Sequence, residues 1–288
     1  MTHPKLFSFG HGYSAQALAR RLIPQGWDII GTTRNPAKAQ QFDNDGVEPL
    51  LLETDPIPAK LGHATHLLIS AGPDVEGDPF LRDYHDHLIE AAPNLKWVGY
   101  LSTTGVYGDH GGDWVDEATP LTPGTKRGKA RMRAEADWQA IAQDLGLNLS
   151  IFRLAGIYGP GRGPFAKVRN GTARRIVKEG QIFSRIHVED IAQVLEASIN
   201  RPQSSEIYNV CDDLPVPPQE VIGYAAELLG LPLPPEEDFE TAEMSPMARS
   251  FYAESKKVRN DRMKQELGVQ LIYPDYKTGL KALLAQDQ

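Results

Sequence analysis

The chain has 288 residues, of which 41% are hydrophobic and 24% charged, enough for one large domain or a domain with a smaller appendage. Its formal net charge of −8 argues against a broad surface for nucleic acid or anionic membrane, so any anion site has to be built locally. A single cysteine, Cys211, excludes a disulfide within the chain and fits a reducing compartment.

No positively charged, then apolar, leader pattern opens the sequence, and no apolar run approaches the length of a membrane span. A cytoplasmic protein with no membrane or nucleic-acid partner is expected. Lys5 to Phe9 reads as a short apolar strand that runs straight into glycine. Ala15, Leu18, Ala19, Leu22 and Ile23 then recur at helical spacing until Pro24-Gln25-Gly26. Trp27 to Thr32 reads as the next strand, which completes a strand–helix–strand unit of roughly thirty residues. Asn35-Pro36 looks like a helix start. His66 to Ala71, Trp97 to Ser102 and Leu149 to Leu154 are nearly continuous apolar runs, as expected of parallel strands covered on both faces. Arg131 to Leu145 and Val188 to Ile199 read as helices, and Ile207 to Val210 as a last short strand. Beyond Cys211, Pro215, Pro217, Pro218, Pro232, Pro234 and Pro235 break up the alternating pattern. The expected fold is α/β: a doubly wound parallel sheet with a small, mostly helical C-terminal subdomain over one edge.

The first strand and helix enclose Gly10-His11-Gly12-Tyr13-Ser14-Ala15, a dinucleotide fingerprint with alanine in the third small position. The first glycine permits a tight turn, and the second lets a pyrophosphate approach the backbone. The small third residue lets helix and strand pack closely, and the helix start offers free N–H groups to phosphate. At the end of the second strand, where NAD-binding chains place an acid, the sequence reads Thr32-Thr33-Arg34-Asn35. A carboxylate there would repel a 2′-phosphate, whereas Arg34 can hold one, so NADP(H) is expected over NAD(H). Ser70, Ala71 and Gly72, ending a central strand, are expected to line the cofactor cleft.

Four stretches in fixed order resemble the extended short-chain dehydrogenase/reductase family, the NAD-dependent epimerases and dehydratases. They are the glycine loop; Leu101-Ser102-Thr103-Thr104-Gly105-Val106-Tyr107-Gly108; Phe152-Arg153-Leu154-Ala155-Gly156-Ile157-Tyr158-Gly159-Pro160-Gly161; and Ser184-Arg185-Ile186-His187-Val188-Glu189-Asp190, followed by Ile207-Tyr208-Asn209-Val210. The resemblance implies a Rossmann core over 1–160 and 181–211, a substrate subdomain over 161–180 and 212–288, and an active site between them. It also implies a possible homodimer. It gives Thr103 the hydrogen bond to the reacting oxygen, with Thr104 beside it. Tyr107 and Tyr158 correspond to substrate-pocket tyrosines, and His187 to a histidine that is structural in the family.

One departure limits what the resemblance implies. The family's acid/base is the tyrosine of Tyr-x-x-x-Lys, and its lysine holds the nicotinamide ribose. Here Thr125-Lys126-Arg127-Gly128-Lys129 occupies the expected place, so Lys129 keeps the lysine spacing and the tyrosine is missing. A phenol titrates at ~10 and an aliphatic alcohol at roughly 15–16, a gap of about 7 kcal/mol against the alkoxide. Thr125 therefore cannot take over. Three outcomes stay open. Tyr107, Tyr158 or His187 donates the proton; or the reaction needs little acid catalysis, as in hydride delivery to a preformed iminium; or chemistry is lost and the chain is an NADP(H)-binding regulator. The expected activity is that of an NADP(H)-binding oxidoreductase or epimerase-like enzyme acting on a small molecule, with anionic ones among the candidates.

Lys126, Arg127, Lys129, Arg131 and Arg133 crowd a helix start, either as an anion site or as a solvated face. Arg162, in the loop after Gly159-Pro160-Gly161, is either a contact for a substrate anion or a surface loop charge. His85 and His87 lie two apart, with no cysteine or acidic cluster to complete a metal site, so none is expected.

Overall fold

The computed structural model describes residues 3–201 and 206–286; the outermost bounds of the expected domains, and 202–205 within the core, lie outside the described residues. Seven strands form one sheet: β1 (Lys5–Phe9), β2 (Asp28–Thr33), β3 (Glu48–Leu51), β4 (His66–Ile69), β5 (Trp97–Thr103), β6 (Leu149–Leu154) and β7 (Glu206–Val210). Every pairing is parallel and the order is β7-β6-β5-β4-β1-β2-β3. The chain reverses direction across the sheet between β1 and β4, the switch point at which such sheets open a crevice beyond the carboxyl ends of their strands. This is a Rossmann-type α/β fold.

The connecting and flanking helices are α1 (Tyr13–Leu22), α2 (Pro36–Asn44), α3 (Ile57–Leu61), α4 (Pro79–Ala91), α5 (Lys126–Leu145), α6 (Phe165–Arg169), α7 (Val188–Ile199), α8 (Pro218–Leu229), α9 (Pro246–Phe251), α10 (Asp261–Leu267) and α11 (Tyr276–Gln286). Successive strand residues face opposite ways, which divides the core in two. Leu6, Leu68, Trp97, Leu101 and Phe152 pack with Leu18 and Leu22 of α1 and with Ile191, Val194 and Leu195 of α7. Phe7, Phe9, Leu67, Ile69, Val98 and Tyr100 pack with Phe80 and Leu88 of α4 and with Trp138 and Ala142 of α5. Gly99 interrupts β5 for a steric reason: a Cβ there would lie 2.1 Å from the Trp97 indole.

A third apolar cluster joins Tyr158, Phe165 and Val168 to Val221 of α8 and to Tyr276, Leu280 and Leu283 of α11. The C-terminal part is not helical throughout. Glu236–Asp238 pairs with Arg175–Val177, and Lys257–Val258 pairs with Trp114–Val115, which ties this part back to the loop after β5. Two of the differences from the sequence reading bear on the sheet and the site. β3 leaves little signal in the sequence, because Glu-Pro-Leu-Leu is short and contains proline, which an edge strand tolerates. α5 begins at Lys126 rather than Arg131, with Thr125 as its cap: Gly128 N–H donates to Thr125 Oγ1 at 3.0 Å. Among the described residues no helix is long and apolar enough to cross a membrane.

Candidate functional site

The expected cofactor residues meet at the carboxyl edge of the sheet. Gly10 leaves β1 with φ +75°, and a Cβ on it would stand 2.8 Å from the backbone nitrogen of Ala71, just past β4. Only glycine lets these two strand ends close up. A Cβ on Gly12, by contrast, would meet nothing closer than Gly10 O at 3.6 Å, so this position faces open space. Gly12 is also the N-cap of α1, with no side-chain cap and no acid in the first turn. The first N–H groups of α1 are thus left for a ligand. Ala15 is fully buried, where helix and sheet are in contact. Ser70 Oγ, at the end of β4, is buried and has no hydrogen-bond partner among the described residues. A backbone cradle, uncapped N–H groups and an unpaired hydroxyl together fit a dinucleotide phosphate.

The remaining loop residues are structural neighbours of this cradle. The His11 ring fills the space left by Gly31, donates to or accepts from Ser8 Oγ at 3.0 Å, and meets the Phe42 ring edge-on at 4.8 Å. Burial holds its pKa down to about 4. Tyr13 reaches across the cleft: its hydroxyl donates to Pro160 O at 2.9 Å, and the Arg162 guanidinium lies 5.8 Å from its ring. The glycine loop is thereby tied to the turn at 159–162. Ser14 is buried in α1. At the tip of β2, Thr33 Oγ1 accepts from Asn35 N–H at 3.1 Å, and Asn35 caps α2. Arg34 is exposed, with no ion-pair partner among the described residues.

On the other side of the cleft the reading changes. Thr103, at the end of β5, accepts from Gly105 N–H at 3.2 Å, which leaves its hydroxyl proton to donate; Thr104 opens the turn that follows. Lys129 is exposed on α5. The sheet-facing side chain is Arg131, two residues on. Its Nη1 donates to Leu101 O at 2.6 Å and to Tyr100 Oη at 3.1 Å. Its Nη2 lies 3.2 Å from where a Cβ of Gly72 would be. Arg131 therefore spans the ends of β4 and β5, while Lys129, two residues earlier, lies on the exposed side of the helix. The helix period carried this signal: Gly128, Arg131, Glu135, Trp138 and Ala142 make one inward stripe.

The three expected proton donors are enclosed. Tyr107 is fully buried; its hydroxyl donates to Asn209 Oδ1 at 2.7 Å and accepts from Arg153 Nη1 at 2.9 Å. Burial pushes its pKa up to about 12. Tyr158 lies in the third core cluster beneath Gly279, where burial first, and then Asp212, raises its pKa. His187 is 1% exposed, caps α7 by accepting from Glu189 N–H at 3.2 Å, and packs between the Tyr158 and Tyr273 rings. Burial lowers its pKa to about 4. All three are buried, and burial disfavours the charged form of each: the phenolates of Tyr107 and Tyr158 and the imidazolium of His187. Behind Thr103 lies a network the sequence did not reveal. Glu135 of α5 and Arg153 of β6, 1% and 3% exposed, pair at 2.7 Å, and Ser102 also donates to Glu135. Among the described residues no cluster of His, Cys, Asp or Glu could hold a metal ion.

Comparison with known proteins adds three relatives and a family. The model of the NAD dependent epimerase/dehydratase family matches residues 83–211. A structure of a functionally unknown conserved protein from Silicibacter pomeroyi is 60% identical, with TM-score 0.94, over 98% of this chain and 99% of that one. Protein YeeZ of Escherichia coli K12 is 29% identical over 94% of this chain and 97% of its own. A candidate NAD-dependent epimerase/dehydratase from Methylobacillus flagellatus is 27% identical, with TM-score 0.68, over 100% of this chain and 99% of that one.

Proposed function

We propose that this chain, which belongs to the NAD dependent epimerase/dehydratase family, binds NADP(H) in preference to NAD(H) and acts as an oxidoreductase on a small molecule. The observation that carries the reading is the junction of β1 and α1: a left-handed Gly10 pressed on Ala71, an open Gly12, and a helix start with no side-chain cap. Gly10, Gly12 and Ala15 shape the pyrophosphate site, Ser70, Ala71 and Gly72 line the cleft, and Arg34 takes the 2′-phosphate. Residues 1–160 and 181–211 make the cofactor core, and 161–180 with 212–288 the substrate side.

When bound, the nicotinamide supplies or accepts a hydride. Thr103 orients the reacting group through its free hydroxyl proton. Arg131, in preference to Lys129, holds the nicotinamide ribose with its Nη2 while Leu101 and Tyr100 fix the rest of the guanidinium. With Tyr107, Tyr158 and His187 enclosed, the reading favours a substrate that needs no proton from the protein, such as an already cationic C=N. Titrating the purified protein with NADPH and NADH at one ionic strength tests this. NADPH should bind more tightly and pass a hydride to an activated imine; binding of neither cofactor overturns the reading.

A further inference from the structure

The cleft side of α5 holds a second arginine that the dinucleotide does not need. Arg127 stands one turn ahead of Arg131 on the same side of the helix, in the four-residue spacing that stacks side chains. That turn is pressed onto the loop after Thr103: a Cβ on Gly128 would lie 2.7 Å from Gly105 O. Arg127 is exposed, and no ion pair or hydrogen bond engages it among the described residues. Nη2 of Arg131 is likewise without a hydrogen-bond partner there.

The local charge is unbalanced. Lys126, Arg127, Lys129, Arg131 and Arg133 come within the first turns of α5, at the end of a helix where positive charge is least favourable. The first acid in the helix is Glu135, held by Arg153 at 2.7 Å. Two further acids lie near. Asp78 Oδ1 caps α4, accepting from Phe80 and Leu81, and its carboxylate also interacts with Arg131. Glu254 Oε1 lies 3.9 Å from where a Cβ of Gly124 would be, while its Oε2 pairs with Lys256 at 2.8 Å. Of the five cations, only Arg127 and Arg131 share the side that faces the strand ends.

We propose that Arg127, together with the second N–H of Arg131 Nη2 that the ribose leaves free, forms an oxyanion site beside Thr103 and Thr104, which takes a carboxylate or phosphate carried by the substrate. Guanidinium forks bind both groups with two parallel hydrogen bonds. This deepens the proposed function, since it places a negative group next to the reacting carbon and narrows the substrate class to small oxyanions.

The test uses the full chain, labelled with 15N at its arginine side chains and titrated with inorganic phosphate, without cofactor and with saturating NADPH. The wild type should show saturable shifts of the Arg127 and Arg131 Nε–H signals that persist when NADPH is bound. R127Q should bind phosphate about tenfold more weakly, the loss of one charge-assisted contact, and should bind NADPH as the wild type does. R133Q, which changes an exposed arginine elsewhere on α5, should leave both affinities unchanged. If R133Q weakens phosphate as much as R127Q does, the effect is diffuse charge and the proposal is wrong. It is also wrong if NADPH abolishes the phosphate shifts, because phosphate was then in the cofactor's own phosphate site. Failure of NADPH to bind while the Arg127 shift survives would instead strike the dinucleotide reading alone.

Discussion

The turn from β1 into α1 is defined by the side chains it lacks, and the start of α5 by the side chains it carries. The two regions face the same cleft. At the first, Gly10 must be left-handed and free of a Cβ because Ala71 is 2.8 Å away from where one would stand. At the second, Thr125 caps the helix, Gly128 presses on the loop after β5, and Arg131 bridges two strand ends. A site made of missing side chains depends on backbone geometry and survives wide sequence change. A site made of present ones depends on which helical face each residue takes, and here that face offers arginine where the family resemblance led one to expect tyrosine and lysine.

Four substitutions separate the two regions experimentally. The largest effect is expected from R153M, which strands Glu135 as an unpaired buried charge between β5 and α5. Loss of one partner of such a pair costs about 3–5 kcal/mol, read as a lower urea midpoint, while the glycine loop of any folded fraction still binds NADPH. A midpoint unchanged from wild type would show that the pair does not hold α5 in place.

His187 comes next. Its folded-state pKa, about 4, lies below the usual histidine value because burial disfavours the charge. The neutral ring therefore stabilises the fold above ~6.5, and this stability is lost as pH falls towards 4. Asn is a good cap that does not titrate. H187N should flatten the pH dependence of stability by about 3 kcal/mol between ~6.5 and ~4. Equal slopes for the two proteins would mean that the ring is not held neutral, and would restore His187 as a proton donor.

G10A should come third. An alanine at φ +75° adds backbone strain of about 1–3 kcal/mol and also pushes against Ala71. Thermal melts should fall, and NADPH and NADH binding should both disappear; retained binding would move the cofactor away from this loop. R34A should have the smallest effect on the fold, leaving stability unchanged, with a loss of about 1.5–3 kcal/mol in NADPH affinity and NADH untouched. Equal losses for the two cofactors would remove the phosphate role of Arg34.

The same contrast explains what could be read in advance. Lys5–Phe9, Leu149–Leu154 and Val188–Ile199 were legible to the residue, because buried parallel strands and an amphipathic helix write themselves as apolar runs and a helical period. Glycine spacing announced the cradle for the same local reason. β3 was hidden by Pro49 and its four-residue length. The role of Arg131 was hidden by two residues of helix register, since five cations in eight positions look alike until Gly128 is seen against Gly105 O. The motifs around Tyr107 and Tyr158 match the family's, but they carry no sign of how deeply the two rings are buried. Their burial depends on Arg153, Asn209 and Gly279, which lie far away in sequence.

The most direct test of the account is a crystal structure of the full chain with NADPH. The Arg131 guanidinium is expected within hydrogen-bond reach of the nicotinamide ribose, with Lys129 pointing to solvent and no tyrosine hydroxyl near the nicotinamide C4. A structure in which Lys129 holds the ribose, or in which Tyr107 or Tyr158 has swung out to C4, would contradict it.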